Sequence, residues 1–441
     1  MIGSGATKGA VLGGTCINVG CVPSKRLITV STFLEELRKR RYGGLEYTIG
    51  KLDYAKIINE KNDMVENLRT EKYADVLESM ENVTYINSIG KFIDADSIKA
   101  GTREIKSKYA LIATGARSAV PQIKGIEKVS YLTNEDALSM EKLPKSLIVV
   151  GGRALGLEFA QLFAKFGVKV TLLQRSENII PNWEPEISSH LTEYLKDSGV
   201  NIVTNATLVE INSKKGLKSI TTRVKENEMI FDAEEILFAT GRIANTENLG
   251  LNAAGVALNE RSFIKIDKTL RTTAANIYAA GDVTGEPMLE TLAAKEGNTA
   301  TSNIFESANR SINLNEIPSA IFTYPEAAMV GMTEEQVIKN RIKCSCSPLE
   351  FKFVAKAAII GDTRGLVKIV IDNKTKKILG VHILAPHAAE LIHEGVLAVK
   401  FGLTIDDIID TVHVFPTLSE GLKLAALAFY QDVSKLSCCT V

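Results

Sequence analysis

Gly13-Gly14-Thr15-Cys16-Ile17-Asn18-Val19-Gly20-Cys21-Val22-Pro23-Ser24-Lys25 is the stretch from which the fold is best read. Two cysteines five positions apart follow a glycine pair and precede a proline and a lysine. On a regular helix, positions 16 and 21 lie too far round for easy bridging, so the glycine-rich entry predicts a distorted first turn. A thiol at a helix N-terminus stands in positive potential. With a cation nearby, its pKa falls and the thiolate is favoured. Two buried structural cysteines are the alternative. The particular flanking residues argue against it.

The 441 residues allow two or three domains with ample core. The 52 acidic residues balance the 52 basic ones, which gives no electrostatic ground for a nucleic-acid partner or an anionic membrane. No apolar run approaches the ~20 residues of a membrane span. Met1-Ile2-Gly3-Ser4-Gly5 has no basic region followed by an apolar one, so no secretory signal is expected. Six cysteines in so long a chain are no disulfide scaffold, and a cytoplasmic location is expected. There the pair at 16 and 21 reads as catalytic.

Leu147-Ile148-Val149-Val150-Gly151-Gly152-Arg153-Ala154-Leu155-Gly156-Leu157-Glu158 reads as a buried strand, a glycine turn and an amphipathic helix through Lys165. Val168–Leu173 supplies the next strand, completing a βαβ unit in which Gly151 and Gly156 suit a dinucleotide pyrophosphate. Arg153 replaces the middle glycine. Where an NAD enzyme places a carboxylate on the ribose diol, this chain has Gln174-Arg175. Arg175 suits a 2′-phosphate, so NADPH is expected over NADH. A second glycine loop opens at Gly3 and Gly5, but Gly13-Gly14 follows almost at once. No strand is expected before Gly3, and no room is left for a crossover helix and second strand.

From Val22 to Tyr73 the spacing is helical. Val83–Ile86 and Lys91–Ile93 read as strands, as does Tyr109–Ala113 before Thr114-Gly115. Glu235–Ala239 repeats that pattern before Thr240-Gly241, and Ala275–Ala280 is an apolar strand ending in Gly281-Asp282. After Pro318 alternating strands appear at 320–323, 365–371 and 378–383, with helices at 388–401 and 418–433. Cys344 and Cys346, flanking one serine, read as plain thiols rather than a metal site.

The cysteine stretch, the two Ala-Thr-Gly turns and the Gly-Asp ending together resemble the flavin- and pyridine-nucleotide-dependent disulfide oxidoreductases. The resemblance covers nearly the whole chain after Gly13. It implies an α/β fold with two Rossmann-like nucleotide-binding domains plus a C-terminal α+β dimerisation domain. The expected divisions are 1–145 for FAD, 146–270 for NAD(P)H, 271–317 for the second FAD segment and 318–441 for the interface. Relative to the family, most of the first βαβ unit is missing, including the acid that would hold the FAD ribose.

The resemblance places Cys21 against the flavin, Cys16 as the interchange thiol and Lys25 near the flavin N5, paired with Glu158. It implies that Gly3, Gly5, Gly14, Thr15, Gly90, Thr114, Gly115, Gly241, Asp282 and Glu290 contact cofactor. Gly90 would meet the adenine and Asp282 the ribitol. The helix after Pro287 would point its N-terminus at the flavin.

Two places bear on substrate. Disulfide-reducing members carry histidine directly before the Pro-Thr of the C-terminal segment, as general acid–base; this chain has Phe415 there, with Glu420 five residues on. Phenylalanine carries no proton. His413, two positions upstream, reads as structural. The tail Leu436-Ser437-Cys438-Cys439-Thr440-Val441 has vicinal thiols suited to a soft ion. It resembles the tail of the family's Hg(II)-reducing branch, which implies that Cys16, Cys21, Cys438 and Cys439 ligate mercury delivered as a thiol complex. In that branch a tyrosine lines the metal path, and Tyr131 matches it. A homodimer is implied, the tail serving the partner's inner pair. Two alternatives stay open: a disulfide reductase of the thioredoxin reductase or lipoamide dehydrogenase type, and a non-catalytic remnant unable to hold FAD.

Overall fold

Residues 1–3, 12–214 and 216–436 are described by the computed structural model of the chain. Gly5, Cys438 and Cys439 lie outside the described residues.

The most regular element is the βαβ unit. Ser146–Val150, rich in β-branched residues, pairs in parallel with Lys169–Leu173 on one side and Glu235–Phe238 on the other. Val200–Val203 completes a four-stranded parallel sheet. Leu147, Ile148 and Val149 are buried on both faces, as strands covered by helices require. The helix Ala154–Lys165 covers one face, with Phe159 and Phe163 inside. An antiparallel meander, Ala206–Lys214, Leu217–Val224 and Asn227–Ala233, stands beside the sheet.

The first third is mainly helical: Gly14–Val19, Cys21–Lys39 and Tyr54–Arg69, then a π-helical turn at Thr70–Ala74. The helical pattern expected through Tyr73 is therefore interrupted between 40 and 53. One expectation is corrected, because Ile2–Gly3 is a strand, paired in parallel with Ile86–Asn87. Of the strand expected at 83–86 only Ile86 is extended into that ladder. Ala110–Ile112 pairs in parallel with Ile277–Ala279 as a separate two-stranded ladder. Leu111, in its middle, stays 40% exposed.

The C-terminal sheet is antiparallel, in the order Ser319–Ile321, Glu326–Gly331, Ile378–Ala385, Leu366–Asp372, Cys344–Glu350. Period-two alternation divides its faces. Val367, Ile369, Val381 and Ile383 pack with the helices Ala388–Phe401 and Glu420–Leu427. Leu366 and Leu384 join the core under the βαβ unit. The helix expected over 418–433 is shorter than that, since it closes at Leu427. No helix among the described residues is long and apolar enough to cross a membrane.

Candidate active site

The distortion expected around the cysteines is a break between them. Gly13 enters the first short helix at φ +99, and Gly20 separates that helix from Cys21–Lys39 at φ −131, ψ −117. A Cβ on Gly20 would lie 2.9 Å from the Thr15 carbonyl oxygen, closer than real contacts allow. The break brings the free thiols of Cys16 and Cys21 together. Hydrogen bonding from Cys16 and, against the cost of burial, the Lys25 ammonium bring Cys21 from 9.0 down to about 7. The same bond, with burial, holds the Cys16 thiol far above its ordinary range. Cys21 also opens a 19-residue helix whose N-cap offers no competing side chain. The pair therefore gives up its first proton near pH 7, from Cys21.

Lys25, one turn along that helix, reaches Glu158 of the βαβ helix, Nζ to Oε2 2.7 Å. The Glu158 side chain is 5% exposed, and its Oε1 accepts the Phe322 amide at 2.9 Å. The Lys25 ammonium also stands 4.5 Å from the centroid of Phe322. One buried carboxylate thus joins three parts of the chain and points a cation at the thiol pair. Glu290, first residue of the helix Glu290–Phe305, is near enough to disfavour charge on Cys16.

The other expected contact residues are held by bonds of their own. Thr15 accepts from Arg242 Nη2 at 3.3 Å, and Arg242 Nε stands 3.3 Å from Asp282 Oδ2. Burial raises the Asp282 carboxyl, opposed by Arg242. Arg242 Nε is itself buried without a hydrogen-bond partner among the described residues. Gly281, at φ +79, turns the chain into Asp282, and its amide donates to Glu296 at 2.6 Å. Thr114 Oγ1 donates to the Asn245 carbonyl at 2.8 Å, while Gly115 accepts the Asn245 amide at 2.9 Å. The uncapped N-terminus of Glu290–Phe305 leaves its first amides available.

This donor and acceptor set fits the flavin and ribitol end of FAD. The ADP end has less. Gly90 is present in the strand Gly90–Phe92, but the Cβ position above it is occupied by Ile2, at 3.3 Å. Between Gly3 and Gly14 stand ten residues, 4–13, fewer than a helix plus a strand demands.

For the second nucleotide the strand, glycine turn and helix are all present. A Cβ on Gly156 would sit 1.8 Å from the Gly151 carbonyl oxygen, so the helix can approach the strand only with glycine here. Arg153 caps nothing with its side chain, which leaves the first helical amides free for a pyrophosphate. Gln174 is buried and accepts the Gly152 amide at 2.9 Å; Arg175 is the exposed member of that pair. Gly241, at φ +122, ends the matching turn.

Other expected residues stand elsewhere. Tyr131 packs edge-to-face on Phe238, centroids 5.4 Å apart. Its neighbour Asn134 donates to the Val19 carbonyl at 2.6 Å, which ties the Tyr131 segment to the end of the first cysteine helix. Phe415 is 53% exposed. His413 is fixed between Glu394 Oε1, 2.8 Å, and the Thr411 carbonyl, 3.0 Å. Burial raises Glu420, and its Oε2 is buried without a hydrogen-bond partner among the described residues. Among the described residues of one chain, this C-terminal group makes no hydrogen bond to the cysteine pair. Among the described residues no group of three or more His, Cys, Asp and Glu could hold a metal. Cys344 and Cys346 are free cysteines, both half-buried. Sequence reading missed Arg242, Asn134 and Tyr73. Tyr73, in the π-helical turn, has its ring 3.3 Å from the Cβ position of Gly13. The π turn has no sequence signature, so nothing local announced it.

A thiolate–thiol pair beside a nucleotide-binding βαβ unit defines a pyridine-nucleotide-linked redox enzyme. The chain belongs to the pyridine nucleotide-disulphide oxidoreductase family: that family's model matches residues 3–297, and the model of its dimerisation domain matches 317–426. FAD and NADPH are the cofactors of such enzymes. The chain is 40% identical to a mercuric reductase of Bacillus cereus over 97% of this chain and 68% of that one. It is 39% identical to a mercuric reductase of Lysinibacillus sphaericus, over 99% and 80%. Among solved structures it is similar to the HOCl-induced flavoprotein disulfide reductase RclA from Escherichia coli in its Cu(II) complex. The TM-score is 0.83 at 30% identity, covering 96% of this chain and 92% of that one. It is also similar to LpdA from Mycobacterium tuberculosis, TM-score 0.86 at 27% identity, with the same coverage.

Proposed function

We propose that the chain reduces Hg(II), presented as a thiol complex, to elemental mercury: NADPH + Hg(II) → NADP⁺ + Hg(0) + H⁺. The observation that carries this reading is the pair itself, a Cys21 thiolate beside Lys25 with a Cys16 thiol against it. Two sulfurs side by side suit a soft cation that takes two ligands. The naming of the B. cereus and L. sphaericus relatives supports the same reading, and so does Phe415, which offers no proton to a leaving thiolate.

Cys16 and Cys21 take the metal by thiolate exchange, each displacing one thiolate of the incoming complex; Cys21 is the sulfur that ionises near pH 7, and Cys16 gives up its proton to a departing thiolate. Lys25, held by Glu158, keeps a positive charge beside the dithiolate. FAD, when bound, supplies the two-electron path from NADPH to the metal. Thr15, Asp282 and the amides at Glu290 hold its flavin and ribitol; Gly151, Gly156 and Arg175 hold NADPH. Cys438 and Cys439 capture the metal and pass it inward, Tyr131 lines the path, and Glu420 stands at the dimer edge. The chain works as a homodimer, its domains divided as expected above. A cytoplasmic setting fits a reaction that draws on NADPH and free thiols.

The test is turnover of the purified chain given FAD. A flavin absorption band, with NADPH oxidation driven by Hg(II) and matched by trapped Hg(0), agrees with the reading. Faster NADPH oxidation with thioredoxin or lipoamide assigns disulfide reduction instead, and the absence of a flavin band after FAD addition assigns a non-catalytic remnant.

A further inference from the structure

Beyond the end of Lys169–Leu173 lies a pocket of about 510 Å³ lined by Arg175, Glu177, Asn205, Thr207, Arg223 and Lys225. Its floor is tied to the nucleotide loop. The Asn205 amide donates to the Ser176 carbonyl at 3.1 Å and the Ala206 amide to that of Gln174 at 2.9 Å, while the Gln174 side chain holds the Gly152 amide. The pocket therefore sits one residue past the point where a ribose on this loop turns outward. Thr207 and Arg223 face each other across the antiparallel ladder, which sets Arg223 over the floor. Lys225, at φ +56, opens the two-residue turn between Val224 and Asn227. Arg223 is only loosely engaged elsewhere, with Glu228 4.0 Å away and both side chains more than half exposed. Three cations against the single carboxylate of Glu177 leave the pocket positive, as a phosphate monoester requires.

We propose that Arg223 and Lys225, carried on the 217–233 hairpin, complete with Arg175 a cradle for the 2′-phosphate of NADPH. This rests on the assignment of Arg175 to that phosphate and adds a second wall from a different element. Three converging cations make the choice of NADPH a property of the meander as well as of the βαβ unit. Glu177 in the lining, and Glu228 beside Arg223, oppose that charge and limit the affinity.

The test is equilibrium binding of NADPH and NADH to the full chain, read by nucleotide fluorescence, with 2′,5′-ADP and 5′-AMP as competitors. Arg223→Ala and Lys225→Ala are each expected to weaken NADPH and 2′,5′-ADP by about 5- to 20-fold, a range set by partly exposed charge-assisted contacts. NADH and 5′-AMP are expected to stay within about twofold, and the thermal midpoint of each variant to match the parent. Glu177→Gln is expected to tighten NADPH. If both hairpin variants keep the parental NADPH affinity, or lose NADPH and NADH equally, the cradle is overturned. Arg175→Ala separates the two levels. A parent that prefers NADPH and loses that preference only with Arg175→Ala defeats the hairpin's role alone. A parent with no preference defeats the assignment of Arg175 as well.

Discussion

At the residue scale, the site depends on one thiol being ionised while its neighbour is not. Cys21 is brought to about 7 by hydrogen bonding from Cys16 and by Lys25, with burial opposing them. Because its pKa is depressed, the thiolate is present above pH 7 and is lost as pH falls through that value. Alkylation of Cys21 by iodoacetamide is expected to rise with a midpoint near pH 7. Lys25→Met is expected to move that midpoint up toward 9.0, because the nearby Glu158 charge then opposes the thiolate unscreened. A midpoint unchanged by the substitution contradicts the role given to Lys25. The pairing of Lys25 with Glu158, 133 positions apart, was legible only through the family resemblance. Arg242 was not legible at all. Its partners Thr15, Ala116 and Asp282 come from three separate stretches, and no local spacing relates them.

At the scale of elements, the break at Gly20 decides whether the thiols meet. Gly20→Ala puts a methyl group against Thr15 and Cys16 backbone atoms. It is expected to cost about 1–3 kcal/mol of stability, the range for forcing an extra methyl group into a packed site. It is also expected to abolish binding of a dithiol-specific arsenical; retained arsenical binding contradicts the hinge. The sequence reading placed the distortion at Gly13-Gly14, because glycine pairs announce turns while a single glycine inside an apolar run does not. The βαβ unit was legible strand by strand, since its hydrophobic period and its glycines are contiguous. The last helix was overextended for a physical reason. Phe429, Val433 and Leu436 keep packing on the core after Leu427, so apolarity continues where the helix does not.

At the scale of the molecule, the C-terminal domain leaves apolar side chains uncovered. Phe401 is 68% exposed, and Leu397, Val412, Val414 and Phe415 are also out. A patch of this kind marks an interface, in keeping with the match to a dimerisation domain. Phe401→Glu is expected to convert dimer to monomer in light scattering after size exclusion, and a persistent dimer contradicts that face. Val412, Val414 and Phe415 lie in the segment that leads into the helix Glu420–Leu427, within the residues matched by that domain model. The central claim is that Cys16 and Cys21 act as a two-sulfur port for mercury. X-ray absorption at the mercury edge tests it most directly, on reduced protein carrying Cys438→Ala and Cys439→Ala and given one equivalent of Hg(II). The expected result is two sulfur ligands per mercury, falling to fewer when Cys16→Ser or Cys21→Ser is added; a two-sulfur site that survives both substitutions contradicts the account.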